Sequence, residues 1–283
     1  MKKIIFIDPI AGCSGDMFLG ALVDLGVDFD SLREQLLGLG VPGFDLKQTS
    51  VMRHQIAATK VDVVVEDVPH PHRHLRHLVE IIEKSRVDPQ AKALSIAALT
   101  RLAQAEARVH RMPVEKVHLH EVGGLDCLVD VVGSMIGILA LQADGIYSGP
   151  VSDGAGFQKC AHGTMPVPVP GTLAILEGFP IRRTDFPFEM TTPTGAAILR
   201  EIAQPAPIPF TFTPQRTGYG AGTRDPREVA NLLRIVQGEV QRLPLPAAAL
   251  RPHSHDHEHD HRHDHDHAHD LAHSHDHGHG HSH

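Results

Sequence analysis

Lys3-Ile4-Ile5-Phe6-Ile7-Asp8 is a short apolar run closed by an acid, and Pro9-Ile10-Ala11-Gly12-Cys13-Ser14-Gly15 leads from it into Asp16-Met17-Phe18-Leu19. The run reads as a strand, the glycines end it in a turn, and residues 16–25 carry the apolar repeat of a helix. The chain therefore opens as strand, loop, helix. Further along, residues 58–66 alternate around Val61, Val63 and Val65 and read as a second strand. A His/Pro knot at residues 69–74 leads into a helix over 75–84. Asp88-Pro89 starts a helix, and residues 91–110 form a long one with Ala and Leu on repeating faces.

Val117-His118-Leu119-His120-Glu121-Val122 alternates with period two and stops at Gly123-Gly124. Two histidines thus share one strand face. An apolar helix begins at about Asp126. Prolines alternating with valines over residues 165–170 force extended geometry without ladder donors. A helix near 195–203, a glycine-rich loop at 218–222 and an apolar strand at 231–236 follow. No internal repeat and no regular strand-helix alternation is present, so the expected class is α+β (mixed α/β). We expect a globular region over 1–242, a Pro/Ala linker over 243–252, and a disordered His/Asp-rich tail over 253–283.

The 283 residues suffice for a sizeable core, which must be built from Leu, Ile, Val and Ala because aromatics are 4% and Trp is absent. The formal charge is −8, but the stretch from Arg251 onward holds about seven acids against two arginines. The rest is near neutral, so no nucleic-acid partner is expected. Three widely spaced cysteines (Cys13, Cys127, Cys160) argue against a disulfide framework. The opening apolar run is cut by Asp8 after about four residues, too short for a signal peptide. Residues 125–141 approach spanning length but contain Asp126 and Asp130, each costly in hydrocarbon. A cytoplasmic protein without a membrane span is expected, and a homo-oligomer is left open.

The tail repeats His-x-His from His253 to His283 with Asp or Glu at many intervening positions. In an extended chain such histidines lie on one side, and imidazole binds Ni²⁺, Zn²⁺ and Cu²⁺. His255, His257, His259, His261, His263 and His265 are candidate ligands of this kind. Overlapping weak sites raise the local metal concentration, and binding should fade below about pH 6 as histidine protonates. The irregular Asp, Glu, Ser and Gly spacing argues against a purification tag.

A second cluster spans residues 70–77. There His72 and His74 could hold metal while Arg73 and Arg76 hold phosphate, and a solvated polar loop is the equal alternative. His118, His120 and Glu121 are a stronger internal set, because an apolar strand gives polar groups a reason to be paired. Asp126 and Asp130 share one helix face. Asp126 could simply cap; Asp130, among Leu128, Val129, Val131 and Val132, could not, and calls for a metal, a histidine or an arginine.

Asp8 and Asp16 bracket Gly12-Cys13-Ser14-Gly15, where helix-start amides favour an anion and a carboxylate could hold Mg²⁺ or Mn²⁺ on a phosphate. No Walker lysine follows. Thr192 and Thr194 offer hydroxyls at another helix start, with an ordinary N-cap at Thr194 as the plain alternative. Gly218 and Gly220 could belong to an anion-binding nest. Cys160 and His162, two apart, are a possible ligand pair, with Cys13 as a further sulfur.

Taken in order, Asp8-x-x-x-Gly12-x-Ser14-Gly15-Asp16-Met17, His72-Arg73-His74, Val117-His118-x-His120-Glu121-Val122-Gly123, Lys159-Cys160-Ala161-His162-Gly163 with Pro166-Val167-Pro168, Thr192-Pro193-Thr194-Gly195-Ala196-Ala197 and Gly218-Tyr219-Gly220-Ala221-Gly222-Thr223 resemble the LarC family over about residues 1–240. The resemblance implies a lyase-type cyclometallase. Nickel would enter pyridinium-3,5-bisthiocarboxylic acid mononucleotide through nickel–sulfur and nickel–carbon bonds, giving the nickel-pincer cofactor that lactate racemase apoprotein accepts. It also implies CTP hydrolysis with Mn²⁺ or Mg²⁺, and a histidine-rich stretch between two halves.

Here the sequence stops at that stretch, and both a separately encoded C-terminal half that binds CTP and a truncated chain serving as metal donor or store fit that departure from the family. On this reading Asp8, Ser14, Asp16 and Asp130 are catalytic candidates. Arg73, Arg76, Thr192, Thr194, Gly218 and Gly220 bind the nucleotide, and His72, His74, His118, His120, Glu121, His162 and the tail histidines bind metal. A non-catalytic nickel or zinc metallochaperone or store is one rival, and a metal-dependent phosphohydrolase using Asp8 and Asp16 is another.

Overall fold

The computed structural model describes residues 1–66, 74–117, 124–160 and 163–244. The first strand, β1 (Lys2–Asp8), is followed by helices α1 (Gly15–Leu25) and α2 (Phe29–Leu37), then the hairpin of β2 (Phe44–Arg53) and β3 (Ile56–Val65). Helices α3 (Leu75–Lys84), α4 (Pro89–His110) and α5 (Leu125–Ala140) come next. Short strands β4 (Gly145–Ser148), β5 (Val151–Asp153), β6 (Phe157–Cys160) and β7 (Gly163–Pro166) precede α6 (Pro170–Ile175), β8 (Ile181–Arg183) and α7 (Pro193–Ile202). The described part closes with β9 (Gln204–Pro205), β10 (Thr213–Ala221) and β11 (Leu232–Val240). This is the expected mixed α/β class. The tail expectation, and the linker expectation beyond residue 244, lie outside the described residues.

Seven strands form one sheet in the order β2-β3-β10-β11-β1-β4-β9. The long pairings are antiparallel: β2 with β3, β10 with β11, and β11 with β1. Parallel contacts join β1 to β4, β4 to β9, and β3 to β10. The last strand thus lies inside the sheet, between β10 and β1. Helix α1 packs against β3 and β10 on one face and against α5 behind it. Its buried residues Met17, Phe18, Leu19, Ala21 and Leu22 join Leu128, Val129, Val132 and Met135 of α5 in the main core. On another patch Ile4, Tyr147 and Val240 gather Phe6, Phe210 and Phe212 into a small aromatic cluster.

Local signals explain the helix ends. Asp88 caps α4 by accepting from Gln90 N–H at 2.8 Å, with Pro89 preset for the first turn. Gly26, at φ 117, ends α1 in the left-handed conformation.

One expectation is corrected. Residues 218–222 do not form a loop or nest; through Ala221 they are strand β10. A Cβ on Gly220 would lie 1.9 Å from Met17 O, and one on Gly218 would lie 2.3 Å from Ala21 O. The glycines are there so that the α1 backbone can rest on the strand. Strand β2 and helix α2 were not expected, because the FDLKQTSVMR stretch has too little apolar alternation to signal a strand.

Candidate functional site

Three helix amino ends converge on one cavity of about 450 Å³: those of α1 (Ser14, Gly15, Asp16, Met17), α5 (Asp126, Asp130) and α7 (Thr192, Pro193, Thr194). The opposite wall comes from Asp62 and Val63 of β3 and from Gly222, Thr223 and Arg224 just past β10. Strands β3 and β10 run parallel but share a single register pair, Gly220 with Thr59. Both strands therefore deliver their carboxyl ends to the cavity, the usual placement of a ligand crevice in sheets with parallel strands. Gln158 of β6 and Glu189 and Met190 before α7 complete the lining relevant here.

The loop 9–14 is tied to α7 by Thr192 N–H donating to Cys13 O at 3.0 Å. Thr192 also caps α7, its Oγ1 accepting from Gly195 N–H at 3.2 Å. The cap is thus Thr192, not Thr194, whose hydroxyl instead approaches Cys127 Sγ at 3.5 Å. Behind this wall the buried Asp153 collects three backbone donors on Oδ1: Gly154 and Met190 at 2.8 Å and Thr191 at 3.4 Å. It holds the 189–192 segment against the cavity. Burial raises its carboxyl above the ordinary value, and those N–H groups oppose the shift.

Asp16 is saturated with partners. Its Oδ1 accepts from Ser14 Oγ and from Met17 N–H at 2.9 Å, and its Oδ2 accepts from Thr223 Oγ1 at 3.1 Å. Lys60 pairs with Asp62 and lies 4.0 Å from Asp16 Oδ2. The α1 amino end is thus already occupied in part by its own acid, and a bare phosphate there would compete with it.

Asp130 differs. It lies one turn inside α5, and Gly15 makes room for it: a Cβ there would fall 2.3 Å from Asp130 Oδ2. Its Oδ1 is sealed from solvent and has no hydrogen-bond partner among the described residues. Burial pushes its carboxyl well above the ordinary 3.8, with Asp16 and Asp126 adding to the rise and Lys60 opposing it. Among the described residues no histidine or arginine forms an ion pair with it, which leaves the metal of the three expected partners, and the histidines outside the described residues, open.

Among the described residues, lining carboxylates Asp16, Asp62, Asp126, Asp130 and Glu189 face a single lining cation, Arg224, whose Nη1 donates to Glu189 O at 3.3 Å. The field therefore favours a cation, and an anionic ligand would enter best with one. Among the described residues, no three His, Cys, Asp or Glu side chains are grouped so as to hold a metal ion. Cys13 and Cys127 are buried, and burial raises both thiols to about 12, which keeps them protonated and poor ligands.

The structure thus brings Ser14, Asp16, Asp130, Thr192 and Thr194 together and leaves Asp8 out. Asp8 is the register partner of Arg234 and pairs with it across β1 and β11. Arg76 is exposed on α3, its Nε 3.2 Å from His77 Nε2. Gly218 and Gly220 lie under α1, as described. His74 Nδ1 lies 3.1 Å from Val117 O. His72, Arg73, His118, His120, Glu121, His162 and the tail histidines lie outside the described residues. Asp62, Asp153, Glu189 and Arg224 escaped sequence reasoning, because each is an ordinary polar residue until the fold gathers them. Among the described residues no helix is long and apolar enough to cross a membrane.

A family model described as nickel insertion protein matches residues 5–275. The chain is 41% identical over 237 residues to a putative nickel insertion protein of Geobacter sp. (strain M21), covering 84% of this chain and 62% of that one. It is 40% identical over 251 residues to a pyridinium-3,5-bisthiocarboxylic acid mononucleotide nickel insertion protein of Geobacillus kaustophilus (85% and 61% covered). A protein of the same name in Desulfitobacterium hafniense (strain DSM 10664 / DCB-2) is 42% identical over 239 residues (84% and 59%). The chain spans about three-fifths of the length of these curated relatives. No solved structure matches it.

Proposed function

The chain belongs to the nickel insertion protein family, and from that premise we propose that its cavity is where nickel is placed into pyridinium-3,5-bisthiocarboxylic acid mononucleotide. The observation that carries this reading is the acidic cavity at three helix amino ends. Its carboxylates attract the substrate Ni²⁺, and the hydroxyls of Thr192 and Thr194 at the α7 start suit the phosphate end of the nucleotide.

Nickel would arrive from the tail histidines, which act as a reservoir. His72, His74, His118, His120, Glu121 and His162 would receive it. Two observations support this route: His74 contacts Val117, where the second histidine-bearing segment begins, and that segment rejoins the described chain at Gly124, the N-cap of α5. Asp126 and Asp130 then follow on the cavity wall.

CTP and its Mn²⁺ or Mg²⁺ would bind a C-terminal half of the kind the family resemblance implies. The product would pass to lactate racemase apoprotein in the cytoplasm. The residues of this chain bind and orient the nucleotide, keep water from the ring, and manage the proton that leaves it.

The test supplies the sulfur-bearing precursor, nickel, CTP and Mn²⁺ to the chain, with and without the C-terminal half of a relative, and follows the nickel-containing product by absorbance and mass. Product is expected when both halves are present. Its absence from both mixtures would sink the reading.

A further inference from the structure

A nickel–carbon bond to the pyridinium ring replaces a C–H bond, so a proton must leave as the metal binds. We infer that Asp130 is the base that takes that proton, an inference that rests on the function proposed above. The C–H electron pair passes to nickel while the proton passes to the carboxylate. Nickel stays divalent throughout, and no oxidant or reductant is required.

The choice of Asp130 follows from what occupies its neighbours. Asp16 already accepts from Ser14, Met17 and Thr223. Asp62 is neutralised by Lys60. Glu189 has contacts of its own, and Asp126 is exposed to water on the outer turn of α5. Each is thereby committed to partners of its own or to solvent.

Asp130 alone combines a place on the cavity wall, a sealed Oδ1 without a hydrogen bond among the described residues, and no ion pair. The helix fixes it, and Gly15 keeps the approach to it clear. Burial and the facing acids Asp16 of α1, Asp62 of β3 and Asp126 of its own helix raise its proton affinity, and Lys60 of β3 works against them. Arriving Ni²⁺ would favour the ionised form and so ready the base at the moment it is needed.

The experiment uses the chain with its complementing half, nickel, CTP and Mn²⁺, and a precursor carrying deuterium on the ring carbon that meets nickel. For the wild type we expect a primary isotope effect on nickel–carbon bond formation and a rate that rises with pH through the Asp130 titration. Asp130→Asn should lower that rate by about 100-fold or more, in the range of a lost general base, while precursor binding measured without nickel is unchanged. Asp130→Glu should recover part of the rate and keep a pH dependence.

An Asn variant that reacts at the wild-type rate would overturn the assignment and leave the proposed function standing. Should the Asn variant fail to fold, a wild-type rate flat across pH would overturn it equally. No nickel product from the wild type would remove both readings.

Discussion

Two carboxylates that look alike in sequence, each next to an apolar run, meet opposite fates. Asp8, at the carboxyl end of β1, is answered by Arg234 across the β1–β11 ladder. Asp130, a turn inside α5, has no such partner among the described residues and is surrounded by other acids. A charge matched within the sheet is spent on register and stability. A charge kept unmatched beside a cavity costs stability, and that cost points to use by a ligand.

The contrast can be broken from either side. The largest effect should come from Gly15→Ala. The new methyl would overlap the Asp130 carboxylate, so either α1 lifts from α5 or the acid is driven from its place. A loss of about 2–3 kcal/mol in denaturant unfolding is expected, together with weaker precursor binding.

Next comes Arg234→Ala. It strands Asp8, whose side chain is 16% exposed, and the arginine itself is 41% exposed, so screening limits the loss to about 1 kcal/mol. Nickel insertion should continue at the wild-type rate; a large drop would return Asp8 to the site.

Smallest, and opposite in sign, is the effect of Asp130→Asn on stability. A carboxyl with raised proton affinity makes the folded state hold its proton more tightly than the unfolded state does. Its contribution is full below about 3.8 and is lost as pH rises through the higher folded value. Near pH 8 the variant should melt a few degrees above the wild type, and the gap should close toward pH 4. A variant less stable than the wild type at pH 8 would mean that Asp130 does have a stabilising partner.

Much of the fold was readable because it rests on local signals. The run closed by Asp8, the Asp88-Pro89 start and the Ala/Leu faces of α4 each need only neighbours in sequence. The hidden parts depend on tertiary context. The polar edge strand β2 is held by its pairing with β3, and the glycines of β10 mimic a loop until α1 is laid on them.

Within the site, Asp130 was legible as an acid that no cap explains. Asp62 and Glu189 were not, since nothing in their flanking residues distinguishes them from surface acids. The pairing of Asp8 was hidden for a like reason: its partner Arg234 lies 226 positions away.

The interior position of β11 has a consequence for the order of events during synthesis. A ribosome releases β1 and α1 long before β11, the strand that joins β1 to β10, and the sheet stays open along that seam until Val240 has emerged. The cavity draws its walls from residues as far apart as Ser14 and Asn231, so it too comes into being only at that late stage. Until then the side that Asn231 closes is missing, and the acids of α1, α5 and β3 face open water there.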